Sequence, residues 1–235
     1  MKMIRRAVRK LRFTRNDPNR TQQAYRPVIQ VERPRMFLGT NYGGWTICPD
    51  SISQRSVVYS FGVGEDISFD LGIIERFGAH VFAFDPTPRS IKWMKQQHLP
   101  GQLHFYDFGI ADHNGTIHFY PPENPDHVSH SVLYRATTAN QVIEVPVKTL
   151  DAIVKELGHH RIDILKMDIE GGEYTVIPDI VSSSVEVGQI LVEFHHRFQS
   201  VDPKDTEGAI QILNQQDYRL FHVSDTFEEF SFIHV

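Results

Sequence analysis

The chain has 235 residues, 40% of them hydrophobic, enough for one sizeable core and one catalytic domain with a short appendage. Cys48 is the only cysteine, which excludes an intrachain disulfide and a cysteine zinc site and favours a reducing compartment. No apolar run approaches the ~18 residues that span a bilayer, and no apolar stretch follows the basic N-terminus as a signal peptide requires, so a cytoplasmic location is expected.

The net charge of −5 is unevenly spread: residues 1–35 hold 11 Lys and Arg against Asp17 and Glu32, a balance of +9, and the remainder carries −14. That acidic remainder repels phosphate backbones, so no specific nucleic-acid partner is expected. Residues 1–12 place Ile4, Val8 and Leu11 at helical spacing among Arg5, Arg6, Arg9, Lys10 and Arg12. This suits a basic amphipathic helix in peripheral contact with an anionic membrane, and equally a solvated terminal arm. Residues 15–35 are polar, with Pro18, Pro27 and Pro34, and read as a linker. The expected division is a basic arm over 1–35 and a catalytic domain over 36–235.

In residues 38–49, Gly43 and Gly44 stand between Tyr42 and Trp45. The glycines free the backbone, and the aromatics can either close over a ligand or pack into the core.

Residues 57–85 organise the chain. Val57, Val58, Tyr59 and Phe61 predict a buried strand. Gly62 and Gly64 permit a tight turn with close approach to a ligand. Asp66 or Ser68 can cap the next helix, whose Phe69, Ile73, Ile74 and Phe77 share one face, and Gly78 suits its stop. A second apolar run, 79–84, ends in Asp85. A carboxylate about 20 residues beyond a glycine turn is where nucleotide-binding α/β folds hold a ribose. The third glycine of a dinucleotide fingerprint is missing, and Glu65 and Asp66 put negative charge where a pyrophosphate would lie. A cationic ligand with a ribose, such as S-adenosylmethionine, fits better. The same residues also suit an ordinary βαβ unit with a glycine turn.

Thr87 and Pro88 start a helix, and 102–111 predicts a third strand with its exit loop. The Asn114-Gly115 turn and the run 116–120 predict a hairpin with that strand. Residues 121–140, with His127 and His130, read as an irregular binding loop or solvated loop. An extended segment over 141–147 is followed by a helix from Thr149 to Gly158 and a strand over 161–167 that ends in Asp168. A helix over 173–181, bent or shortened at Pro178, precedes a fifth strand over 189–194 and then His195 and His196. A helix over 202–216 and two alternating runs around residues 224–226 complete the chain. Alternating strands and helices predict an α/β fold: a mostly parallel sheet, helices on both faces and a C-terminal antiparallel hairpin. Ligands belong at the carboxyl ends of its strands.

The motifs SFGVGED (60–66), FDPTP (84–88), LKMDIEGGE (165–173) and VEFHH (192–196), in this order, resemble the FkbM-type S-adenosylmethionine-dependent methyltransferases over roughly residues 40–235. The resemblance implies a Rossmann-like seven-stranded sheet of the class I methyltransferase type, with S-adenosyl-L-methionine as cofactor. Gly62 and Gly64 would line its methionine part, Asp85 would accept the ribose hydroxyls, and the backbone of Phe108 and Ile110 would meet the adenine. Ser60 stands where many such enzymes have a carboxylate, which passes the cofactor's ammonium to Glu65 or Asp66. Asp168 would lie by the methyl group.

A methyl transfer to a hydroxyl needs a base, and His195, His196 and Asp168 are the candidates in that order. Glu170 and Glu173 already gain from their place near a helix start. Asp168, Glu193 and His195 could also form an oxygen-rich site for a divalent ion, but the ligand pattern of metal-using O-methyltransferases does not align cleanly here and no metal is predicted. The resemblance implies a small-molecule or glycan acceptor, methylated on a hydroxyl of a carbohydrate, glycolipid or natural product. The alternative is a noncatalytic adenosylmethionine- or nucleotide-binding module that docks through its basic arm.

Overall fold

The structure, a computed structural model, describes residues 27–120, 141–198 and 201–235. The expected N-terminal helix and the segment 121–140, with His127 and His130, lie outside the described residues. In chain order the elements are β1 (Met36–Leu38), β2 (Trp45–Ile47), β3 (Val57–Phe61), α1 (Ser68–Phe77), β4 (His80–Phe84) and α2 (Pro88–Met94). Next come β5 (Leu103–Tyr106), β6 (Gly109–Ile110), β7 (Gly115–Phe119), β8 (Ile143–Lys148), α3 (Leu150–Leu157) and β9 (Arg161–Met167). The chain ends with α4 (Glu173–Ser182), β10 (Glu186–Glu193), α5 (Pro203–Gln215), β11 (Tyr218–Val223) and β12 (Glu229–His234).

The main sheet has seven strands in the order β11-β12-β10-β9-β3-β4-β5. The pairs β3–β4, β4–β5, β3–β9 and β9–β10 are parallel, and β12 runs antiparallel to both its neighbours. Side chains on a strand alternate between faces, so each central strand feeds two cores. Tyr59, Phe61, Phe84, Ile190 and Val192 join α3, α4 and α5 in one apolar cluster. Val58, Val81, Ala83 and Leu191 join α1, Met94 of α2 and the β1–β2 hairpin in the other. Helices therefore cover both faces, as the periodicity predicts. The chain builds outward from β3 to β5 and returns to the other side of β3 as β9. The crevice between β3 and β9 is thus the topological switch point, where such sheets place their ligands.

Three local expectations change. The cap of α1 is Ile67, without a side-chain hydrogen bond. Asp66 Oδ1 still accepts from Ser68 N, the first amide of α1, at 2.7 Å, while Asp66 Oδ2 accepts from Thr40 Oγ1 of the β1–β2 hairpin at 2.7 Å and Ser68 Oγ from Thr40 N at 2.8 Å. The predicted hairpin between 102–111 and 116–120 is replaced by a separate three-stranded sheet, β6-β8-β7, in which β7 pairs antiparallel with β8. Pro178 does not shorten α4, which runs through it to Ser182. By contrast, Gly78 and Gly158 end their helices in the left-handed conformation, and Thr149 Oγ1 accepts from Ala152 N at 3.3 Å.

Two buried side chains bind the β1–β2 hairpin to the sheet. Gln189 of β10 accepts from Cys48 N at 2.8 Å and donates to Cys48 O at 2.7 Å. Ser231 Oγ donates to Thr46 O at 2.8 Å. Among the described residues no helix is long and apolar enough to cross a membrane.

Candidate active site

The carboxyl ends of β3, β4 and β9 meet at Gly62. Gly62 N donates to Phe84 O at 3.0 Å, and Asp168 N donates to Phe61 O at 3.0 Å. Gly62 has a φ of 81°, and a Cβ there would stand 1.7 Å from the Asp168 carbonyl oxygen. Only glycine allows the two strand ends to close so tightly. Lys166 braces the same turn from β9, its Nζ donating to Gly62 O at 2.6 Å and Phe61 O at 3.2 Å.

Asp85 follows β4 and faces this turn. Its Oδ2 accepts from Gly64 N at 2.8 Å, and its Oδ1 accepts from Thr87 N at 2.9 Å and Thr87 Oγ1 at 2.6 Å. The carboxylate is thereby fixed, with acceptor capacity left for hydroxyls. Glu65 is held by Arg89 through paired contacts of 3.0 Å.

Above these strand ends opens a cavity of about 660 Å³. Gly62, Gly64, Glu65, Asp66, Asp85, Ile110 and Asp168 line it, so these predicted site residues come together. Tyr42 and Trp45 line it as well; Trp45 is also part of the core, whereas Tyr42 is exposed. Ser60, Phe108, His195 and His196 are not among the lining residues. Ser60 is fully buried beside Asp70 of α1. Phe108 packs under Lys148, whose Nζ lies 4.1 Å from the ring centroid. Eight carboxylate residues line the cavity among the described residues, against Lys166 and Arg197 as the lysine and arginine. This wall disfavours a polyphosphate and favours a cationic ligand.

His195 sits behind the wall, fully shielded from solvent. Its Nδ1 pairs with Glu173 Oε1 at 2.7 Å. Its Nε2 lies 3.4 Å from Glu170 Oε2, 3.7 Å from Asp168 Oδ1 and 3.9 Å from Glu193 Oε1. Burial alone would lower its pKa, but the charges of Glu173, Glu170 and Glu193 outweigh it and push the imidazole up to about 10. His196 lies in the turn that Phe198 N closes by donating to His195 O at 3.0 Å, not on an extended segment, and burial with the charges of Arg197 and His195 lowers it. Burial and the charge of Glu170 raise Asp168 above the ordinary carboxylate range, against the pull of Lys166 and His195.

Four functional positions escaped sequence reasoning: Lys166, Arg89, Arg197 and the orienting part of Glu173. Lys166 had a signal, since a lysine inside the apolar run of β9 demands a buried partner. The convergence of Glu170, Glu173 and Glu193 on one imidazole had none, because it depends on how three chain segments meet.

The FkbM methyltransferase domain model matches residues 50–220. The chain is 25% identical over 197 residues to probable methyltransferase-like protein 24 of Homo sapiens, an alignment that covers 76% of this chain and 47% of that one. It is 27% identical over 131 residues to hexuronic acid methyltransferase AglP of Haloferax volcanii, covering 54% and 51%. It is 26% identical over 113 residues to 2-O-methyltransferase NoeI of Sinorhizobium fredii, covering 42% and 46%. The chain spans about half the length of the curated relatives it matches. With the switch-point cavity, the glycine turn and the fixed Asp85 in place, and with the family model matching most of its length, the chain belongs to the FkbM methyltransferase domain family.

Proposed function

We propose that this chain is an S-adenosylmethionine-dependent O-methyltransferase that acts on a hydroxyl of a carbohydrate, in a small molecule or a glycan. The observation that carries the reading is Asp168. It stands on the cavity wall against the glycine turn, with its carboxyl raised above the usual range.

The residues present fit the cofactor. Gly62 and Gly64 keep the turn low, Asp85 offers a fixed carboxylate to a ribose, and the anionic wall suits a sulfonium and an ammonium. When bound, the cofactor supplies the electrophilic methyl group. The chain must hold the acceptor in line and remove its proton. A raised carboxylate on the wall is suited to that proton, so Asp168 is assigned as the base. His195 is buried behind the wall and does not line the cavity, so it acts as a positioning residue. The hydroxyl and sugar preference draws support from the names of the two microbial relatives.

The test is transfer of labelled methyl from S-adenosylmethionine to a panel of hexoses, hexuronic acids and oligosaccharides. Asp168→Asn should lower the rate at least ~100-fold while S-adenosylhomocysteine still binds. Full activity in that variant would remove Asp168 as base, and methylation confined to amines would remove the hydroxyl acceptor.

A further inference from the structure

We propose that Asp168, Glu193 and His195 form a binding site for a single divalent ion of the Mn²⁺ class at the strand-end wall of the cavity. The donor atoms already converge. Nε2 of His195 lies 3.7 Å from Asp168 Oδ1 and 3.9 Å from Glu193 Oε1, and ligating atoms of all three residues lie within 4.8 Å of one another. Ligands about 2.1–2.3 Å from a common ion stand no more than about 4.2–4.6 Å apart. Small side-chain adjustments therefore bring all three onto one centre.

A second observation is independent of this clustering. His195 is fully buried, and its Nε2 has no hydrogen-bond partner although it points into the carboxylates. Asp168 Oδ1, on the other side of the gap, is also buried without a partner. Buried polar atoms in native proteins are normally paired, so two that face each other across 3.7 Å mark a place for a ligand.

The third observation is orientation. His195 Nδ1 pairs with Glu173 Oε1 at 2.7 Å, which leaves Nε2 as the free ligating nitrogen and fixes the ring. A carboxylate behind a histidine is the usual support of a metal-bound imidazole. Glu170 adds negative charge 3.4 Å from Nε2. Arg197 shares Glu193 Oε1 at 3.3 Å but also reaches Glu228 at 3.0 Å, so it keeps an anionic partner if an ion takes Glu193. In the ion's presence the proton on Nε2 is displaced, and the ion supplies its charge to the same carboxylates.

Two carboxylates and one imidazole suit Mn²⁺ better than ions that prefer an all-oxygen shell. Asp168 and Glu193 line the cavity and His195 lies behind them, so the ion's open positions face the cavity. There it would polarise an acceptor hydroxyl and lower that hydroxyl's pKa. That use rests on the hydroxyl-transfer reading; binding of the ion does not.

The full chain is titrated with MnCl₂ alone, without cofactor or acceptor. Free Mn²⁺ is followed by its electron paramagnetic resonance signal and thermal unfolding in parallel. The wild type should take up a single Mn²⁺ with micromolar affinity and unfold at a higher temperature when it is bound. Glu193→Gln and His195→Gln should each weaken uptake at least ~10-fold, and Glu173→Gln, behind the ring, by roughly 10-fold. Asp168→Asn, which is partly exposed, gives the same reading if a buried variant does not fold. No uptake by the wild type at about 1 mM, or equal uptake by wild type and folded ligand variants, would overturn the site. S-adenosylhomocysteine binding measured without the ion tests the methyltransferase reading separately, so either can fail alone.

Discussion

Glu173 Oε1 and His195 Nδ1 meet at 2.7 Å, and both side chains are fully shielded from solvent. The contact joins the start of α4 to the segment after β10 directly behind the wall that carries Asp168. Removing one member leaves the other buried without its main partner. Glu173→Ala should therefore cost about 3–5 kcal/mol of stability in urea titrations. Glu173→Gln should cost less, because its amide oxygen still accepts from Nδ1. Equal losses in the two variants would mean that the carboxylate charge, and not the hydrogen bond or the side-chain volume that glutamine keeps, decides the site.

The two glycines of the turn have different reasons to be glycine. At Gly62 a methyl group meets the Asp168 carbonyl oxygen at 1.7 Å, whereas at Gly64, with φ of 57°, it meets nothing within 4 Å. Gly62→Ala should lose on the order of 3 kcal/mol or more, because two strand ends must part. Gly64→Ala should lose about 1 kcal/mol, the left-handed backbone cost alone. Denaturant midpoints of the two variants check the order, and a Gly64 variant that is the less stable would contradict it.

Asp70 gives the fold a pH signature. It lies on the buried face of α1, where burial pushes its carboxyl up to about 6 against the pull of Lys166 and Ser60. The native state therefore holds this proton more tightly than the unfolded chain does. Its stabilising contribution is full below about pH 4 and is lost as pH rises through about 6. Asp70→Asn has no such titration. Its stability relative to wild type should rise by on the order of 2 kcal/mol between pH 4 and pH 7 in urea titrations. A difference that stays constant with pH would contradict the assignment.

Gln189 satisfies both backbone groups of Cys48 inside the core. Gln189→Leu would leave a buried N–H and C=O unpaired and should cost about 2 kcal/mol. Because Cys48 follows β2, the loss should also loosen the hairpin that carries Tyr42 and Trp45 to the cavity. Hydrogen exchange at residues 38–48 should rise more than exchange in α3, which packs on the opposite face of the sheet.

Much of the fold was legible because buried parallel strands are apolar on both faces. The runs 57–61, 79–84 and 161–167 declare themselves that way, and the glycines after α1 and α3 mark true stops. The β6-β8-β7 sheet was not legible. The Asn114-Gly115 turn signals a local hairpin, but β7 takes its partner from beyond residue 140, a long-range choice that no local pattern encodes. Asp66 does use its cap chemistry, accepting from Ser68 N through Oδ1, but its Oδ2 and the Ser68 hydroxyl go to Thr40, 26 and 28 residues away. At the site, Asp85 and Asp168 could be placed from strand ends alone. The raised pKa of His195 could not, because the carboxylates that raise it, Glu173, Glu170 and Glu193, meet only in the folded chain.

Calorimetric titration with S-adenosylhomocysteine, of the wild type and of Asp85→Asn, tests most directly whether this cavity holds the methyl donor. The account predicts micromolar binding by the wild type and at least a ~10-fold loss in Asp85→Asn, whose amide can no longer accept on both oxygens from Gly64, Thr87 and a ribose. No binding by folded, ligand-free protein, or equal affinity in the two, would contradict it.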